Sequence, residues 1–156
     1  MILDDIDYKI ISLLVKDARI PAQEIANITG KHLTTITRRL KTLEQEGIIK
    51  GYTAVVDYET LGLELTVVTQ LTLSRGKLFE AEEEIAKLPG ICAVYDVTGG
   101  IDSIVIAKFK NRKEISEFAK KLLSMPHVDR TETHIVLNII KEDFRLASKL
   151  EDIGQS

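Results

Sequence analysis

Residues 29–44 read Thr29-Gly30-Lys31-His32-Leu33-Thr34-Thr35-Ile36-Thr37-Arg38-Arg39-Leu40-Lys41-Thr42-Leu43-Glu44, and their spacing decides how the rest of the chain is understood. Leu33, Ile36, Leu40 and Leu43 recur at i, i+3, i+7 and i+10, one face of an α-helix. The opposite face carries Thr34, Thr35, Thr37, Arg38 and Lys41, with Arg39 towards the border. Lys31 and His32 stand at the helix entrance, just after Gly30. Short hydroxyls and cations on an exposed helix suit a helix laid into the major groove of DNA. Arginine pairs bidentately with guanine, threonine meets a phosphate or a thymine methyl, and lysine neutralises phosphate.

The preceding residues read as support for this helix. Asp4 caps a first helix, whose stripe is Ile6, Ile10, Leu13 and Leu14 and which runs to about Asp17. Pro21 opens a second, from Ala22 to Ile28, burying Ile25, Ala26 and Ile28. A short helix, a glycine turn and a longer helix with a basic face make a helix-turn-helix. A three-helix bundle without a ligand has the same periodicity and is the competing reading. Gly47 ends the recognition helix, and residues 48–57 are β-rich without helical spacing, which predicts an extended strand joining two units. Lys50 and Tyr52 lie where they can reach a DNA backbone, although packing is the simpler role for Tyr52.

The remainder carries an internal repeat. Leu65 to Leu73 alternates as a strand, a helix follows with Leu78, Ala81, Ile85 and Leu88 inward and Glu82, Glu83 and Glu84 outward, and Cys92 to Thr98 reads as a second strand. The pattern then restarts, with a strand at 103–109, a helix stripe of Ile115, Phe118, Ala119, Leu122 and Leu123, and a last strand with Ile135, Leu137 and Ile139 on its apolar side. Pro89 and Pro126 mark equivalent turns. Strand, helix, strand given twice predicts a ferredoxin-like βαββαβ unit, an antiparallel sheet with both helices on one face. Val94, Val105, Val136 and Ile140 have sides of their own in the alternation, so both faces of the sheet look partly apolar, which predicts a dimer or larger. The fold class is therefore α+β. The expected division is a DNA-binding domain at 1–50, an extended linker at 51–62, a ferredoxin-like oligomerisation domain at 63–141 and a charged tail at 142–156 of one or two helical turns, then disorder.

Composition agrees. The chain has 156 residues, 44% of them hydrophobic and 29% charged, as in soluble globular proteins, and no apolar run long enough to span a membrane. A single cysteine, Cys92, excludes an internal disulfide and a cysteine zinc site, and is most simply a buried small residue in a cytoplasmic protein. The net charge of −3 argues at first against nucleic acid. Residues 31–50, however, hold five basic side chains against two acidic, whereas residues 61–156 hold thirteen against fifteen. So mild a local excess predicts modest affinity per monomer and a gain from multivalent binding.

Taken together, the residues resemble the Lrp/AsnC (feast/famine) family of transcription regulators over roughly residues 3–141. The resemblance is carried by Leu3-Asp4-x-x-Asp7 with Ile10-Ile11 and Leu14, then Asp17-Ala18-Arg19 and Arg38-Arg39-Leu40-x-x-Leu43-Glu44-x-x-Gly47-Ile48-Ile49-x-Gly51-Tyr52. The second unit adds Leu88-Pro89-Gly90-Ile91, Thr98-Gly99-x-x-Asp102 and Met125-Pro126-x-Val128. It implies a winged-type helix-turn-helix, an effector-sensing domain, and dimers that assemble into tetramers, octamers or larger discs around double-stranded DNA. Family members typically begin the recognition helix with a serine cap, where this chain has His32, a weaker cap.

The loop Thr98-Gly99-Gly100-Ile101-Asp102 is the small-molecule candidate. Glycines let backbone amides approach an α-carboxylate, and Asp102 can accept an α-ammonium, which is what an amino-acid effector requires. The plainer reading is a hairpin in which Gly99 supplies positive φ and Asp102 caps the turn. The resemblance implies that effectors bind between dimers near this loop with help from the last strand, here Thr131, Thr133 and His134. No metal-ligand spacing, cofactor motif or catalytic constellation is present, so no cofactor and no enzyme activity are expected. Two alternatives stay open: a family-related enzyme acting on a tetrapyrrole carboxylate, and an amino-acid sensor that binds no DNA. Three histidines and few aromatics oppose the first. Arg38, Arg39 and Lys41 oppose the second.

Overall fold

The computed structural model describes residues 2–74 and 76–155. Helix α1 (Asp5–Lys16) starts at the expected cap: the Asp4 side chain accepts from the amides of Ile6 and Asp7, and the Asp7 side chain returns the bond to the Asp4 amide. Helix α2 (Ala22–Thr29) follows Pro21, and α3 (Leu33–Gln45) is the recognition helix. Ile10, Ile25, Ile36 and Leu43 are wholly buried and form the core of this three-helix unit. Ile28, expected inside, is half exposed, because it lies off the Ile25–Ala26 stripe.

The chain divides into two compact units, one running up to Val55 and resuming at Lys141, the other Val56–Ile140. In the second unit β1 (Leu65–Leu73), α4 (Leu78–Ala86), β2 (Ile91–Asp96), β3 (Ser103–Phe109), α5 (Arg112–Ser124) and β4 (Val128–Ile135) follow in the βαββαβ order. The strands pair in the order β2-β3-β1-β4, all antiparallel. Val67, Leu71, Val105 and Ala107 face Ile85, Phe118 and Leu122 of the helices, and Phe109 and Phe118 pack with ring centres 5.2 Å apart. The last strand ends earlier than the apolar pattern suggests: Leu137 and Ile139 lie beyond it and are exposed. Residues 51–57 form no strand within the chain, since an extended segment becomes β-structure only when its amides find a partner. Cys92 is exposed on the edge strand β2, not buried.

The tail is not independent. Helix α6 (Ala147–Ile153) packs on α1. Glu151 Oε1 accepts from Lys16 Nζ at 2.8 Å, Lys9 Nζ at 3.3 Å and the Ser12 hydroxyl at 3.4 Å. Gly154 comes so close to α1 that a Cβ there would stand 2.7 Å from Tyr8 Cβ. Gly154→Ala should therefore lift the end of α6 and lower stability by about 1–2 kcal/mol in urea unfolding. An unchanged midpoint would mean that the tail does not rest on α1 in solution.

Candidate DNA-reading helix and effector loop

The turn between α2 and α3 needs Gly30, whose φ of +65° is in the left-handed region. It is closed by the Lys31 amide donating to Ala26 O at 3.0 Å. His32 is the N-cap of α3 and its side chain makes no capping hydrogen bond. On α3, Thr34, Thr37, Arg38 and Lys41 are exposed and share one face, with Lys31 and His32 exposed at its start. Thr35 is half-buried at the edge of that face, and the Thr37 hydroxyl already donates to Leu33 O.

Arg39 departs from the sequence expectation. Its Nη1 donates to Asp7 Oδ1 at 2.7 Å and Asp4 Oδ1 at 2.8 Å, and Asp7 is 2% exposed. The guanidinium thus fastens α3 to the capped start of α1, on a different flank from Thr34, Thr37, Arg38 and Lys41. Hydrogen bonding to Arg39 holds the Asp4 carboxyl below its ordinary range. At the other end of α3, the Tyr52 hydroxyl donates to Glu44 Oε1 at 2.9 Å, and burial together with that carboxylate pushes the phenol up.

In the second unit, Thr98, Gly99 and Gly100 are exposed in the turn between β2 and β3, and Gly99 adopts a φ of +122°. Asp102 reaches across to β1: its Oδ2 accepts from the Leu73 amide at 2.7 Å and its own amide donates to Leu71 O at 2.9 Å. It therefore holds β1 in place and is not the cap of its own turn. Thr131 lies opposite Leu71, and the Thr133 and Thr69 hydroxyls are 2.9 Å apart, so both threonines take the helix-covered face. His134 does not join them. It pairs with Val68 on the opposite face, its Nε2 3.6 Å from Glu132 Oε1, because successive strand residues point to opposite sides. The described cavity of about 430 Å³ in this unit lies elsewhere, lined by Leu88, Phe109, Phe118 and Lys121 among others.

Glu82 is a further side chain that the sequence reading misplaced. Expected in solvent with Glu83 and Glu84, it is 9% exposed, and its Oε1 has no hydrogen-bond partner. Burial pushes its carboxyl up, the Ser103 hydroxyl opposes the rise, and the negative charges of Asp96 and Asp102 add to it. The signal was present in the spacing: Glu82 is four residues after Leu78 and three before Ile85, within the apolar stripe.

A helix-turn-helix with a polar, cationic face, joined to a ferredoxin-like unit carrying a glycine–aspartate loop, defines a class of DNA-binding regulators with an attached ligand domain. The comparisons place the chain within that class. Residues 3–50 match a family profile described as winged helix-turn-helix DNA-binding, and residues 66–146 match the Lrp/AsnC ligand binding domain. An uncharacterised HTH-type transcriptional regulator of Pyrococcus abyssi is 46% identical over 92% of this chain and 98% of its own length. The HTH-type transcriptional regulator FL11 of Pyrococcus furiosus is 40% identical over 95% and 98%. A solved structure of a Neisseria meningitidis transcriptional regulator in complex with L-Met is 27% identical, covers 93% of this chain and 96% of that one, and superposes with a TM-score of 0.83. The chain belongs to the Lrp/AsnC family. It is a helix-turn-helix transcription regulator with a ligand-binding domain, not an enzyme.

Arg39→Ala leaves Asp7 buried without its cation and should cost about 2–4 kcal/mol of stability. Arg38→Ala and Lys41→Ala, on the exposed face, should change stability by less than about 0.5 kcal/mol in the same unfolding assay. Glu82 has a distinct pH signature. A carboxyl whose folded value is raised contributes its full stability below the ordinary glutamate range and loses it as pH climbs through the raised value. Glu82→Gln should therefore become progressively more stable than the wild type as pH rises above the ordinary glutamate range. A constant difference as pH rises would contradict the burial of this carboxylate.

Proposed function

We propose that this regulator binds double-stranded DNA as a homo-oligomer, α3 lying in the major groove, and that an amino acid bound at the 98–102 loop controls its assembly or DNA affinity. The observation that carries the DNA reading is the shared exposed face of Thr34, Thr37, Arg38 and Lys41 on a helix that buries Ile36 and Leu43 and ion-pairs Arg39 on another flank. Arg38 and Thr34 are placed to meet base edges, with Thr35 beside them, and Lys31, His32, Thr37 and Lys41 to meet phosphates. Arg39 serves the fold instead. A two-fold dimer presents two such helices to half-sites one helical turn or a multiple apart.

The effector reading is supported by the exposed glycines at 99 and 100 and by the L-Met complex of the Neisseria relative. Thr98 and the exposed backbone around Gly100 are on the open side of the loop, and Asp102 has one carboxylate oxygen bound to β1 and a second that can meet an ammonium. Thr131 and Thr133 follow on the neighbouring strand. Assembly of dimers into tetramers, octamers or larger particles is supported by exposed Leu137 and Ile140 beyond the last strand and exposed Val55 in the unpaired linker. Because an effector that favours one assembly geometry shifts the population towards it, ligand and DNA binding become coupled.

Arg38→Ala should weaken binding to a selected operator by about 1–3 kcal/mol and change random-sequence binding little. Lys41→Ala should weaken both alike and reduce the salt slope by about one. Equal losses for Arg38→Ala on both DNAs, in a fluorescence-anisotropy titration, would make it a phosphate contact only. Sedimentation of the full chain with each proteinogenic amino acid tests the effector. One of them should shift the assembly state, and Gly100→Leu, which adds bulk to the loop where a Cβ meets nothing within 4 Å, should abolish the shift. No shift with any amino acid would remove this control from the loop.

A further inference from the structure

The cavity of about 430 Å³ in the second unit belongs neither to the DNA-reading face nor to the glycine loop. It lies where the Leu88-Pro89-Gly90 turn and the end of β3 meet α5, and Leu63, Leu88, Phe109 and Phe118 give it apolar walls. Ser103 starts β3 and Phe109 ends it, so the cavity and the 97–102 hairpin stand at opposite ends of that strand, about 20 Å apart at the usual rise per residue. A hollow of this volume is in the range that holds small organic ligands. Its walls are braced before any ligand arrives. The Lys108 amide donates to Gly90 O at 2.9 Å, and the turn lies so close to β3 that a Cβ on Gly90 would stand 2.6 Å from Lys108 O. The Lys110 amide donates to Glu114 Oε2 at 2.9 Å, which ties the end of β3 to the first turn of α5.

Charge chooses among the ligands that would fit. Five charged residues line the cavity, and three of them are already engaged. Glu114 accepts from the Lys110 amide, Glu117 stands 3.9 Å from Lys113 Nζ, and the Lys108 ammonium donates to Thr66 Oγ1 at 3.0 Å. The ammonium groups of Lys110 and Lys121 are the other two, and they have no hydrogen bond or ion pair among the described residues. The charge still to be answered is therefore positive, beside walls that water wets poorly. A carboxylate on an apolar body answers both: the body displaces water from the walls and the carboxylate accepts from the lysines. An α-ammonium on the same body would meet two cations and carboxylates that already have partners, so a zwitterion gains less here than a simple acid.

We propose that this cavity is a second ligand site, taking a small carboxylic acid with an apolar body and no α-ammonium, its carboxylate held by Lys110 and Lys121. It stands independently of the reading of the 98–102 loop. The test is calorimetric titration of the full-length protein with 3-phenylpropionate, L-phenylalanine and 3-phenylpropylamine, which share one apolar body and differ in charge. The three are compared in Gly100→Leu, whose hairpin loop is blocked, so that an amino acid taken there does not confuse the comparison. 3-Phenylpropionate should bind this variant as it binds the wild type, and at least about ten-fold more tightly than the other two compounds. The double variant Lys110→Gln/Lys121→Gln, at two exposed positions, should lose at least about ten-fold of that affinity. Leu63→Trp, which fills the cavity, should abolish it. The site is overturned if the wild type does not bind 3-phenylpropionate or if Gly100→Leu loses that binding. Equal affinity for the amine or the amino acid, or an unchanged isotherm in the lysine variant, would overturn it as well.

Discussion

A carboxylate buried at the start of α1 governs how the DNA-binding unit is built. Asp7 is almost wholly inside, and a charge there is tolerated only with a cation in contact. Arg39 is that cation, and it comes from the recognition helix. Asp4 joins the same guanidinium while capping α1, so the cap, the acidic first turn and the orientation of α3 all meet at one side chain. Even so, the Arg39 Nε is buried without a partner, which suggests that the position is held for its geometry and not for ideal hydrogen bonding. With Arg39 fastened on one flank and Ile36 and Leu43 buried beneath, only one face of α3 is left for DNA.

The ligand unit solves a different problem. Its sheet buries one face under two helices, and its glycine loop lies at the end of the hairpin between β2 and β3. A loop rich in glycine is cheap to shape and hard to hold still, and Asp102 answers this by gripping the Leu73 amide on the neighbouring strand. Glu82 is buried on α4 as a charge that the core alone would not select.

The path of the chain adds a constraint on regulation. After β4 it returns to the DNA-binding unit, where α6 is fixed by Glu151 against Lys9, Lys16 and Ser12. The two units are therefore tied by two covalent connections, the linker near Val55 and the segment near Lys141.

The helix and strand order was legible in the sequence because it follows from local periodicity and punctuation. The stripes of α1, α3 and α5, the cap at Asp4, the stops at Gly30 and Gly47 and the strand at 103–109 are each specified by residues within a few positions of one another. The exposed basic face of α3 and the glycine loop were equally plain, since each lies on one contiguous stretch. What the sequence did not decide is where long side chains near a stripe border would turn. Arg39 and Glu82 both stand at such borders, and their inward orientation depends on Asp7, thirty-two residues away, for one, and on the packing of α4 against the sheet for the other. His134 was separated from Thr133 by the parity of a strand register. Docking of the tail rests on contacts to α1 across more than half the chain. Local spacing determined the elements and their faces; only tertiary structure decided which charges those faces keep for folding and which they leave for a partner, because a charge is placed by whatever neutralises it.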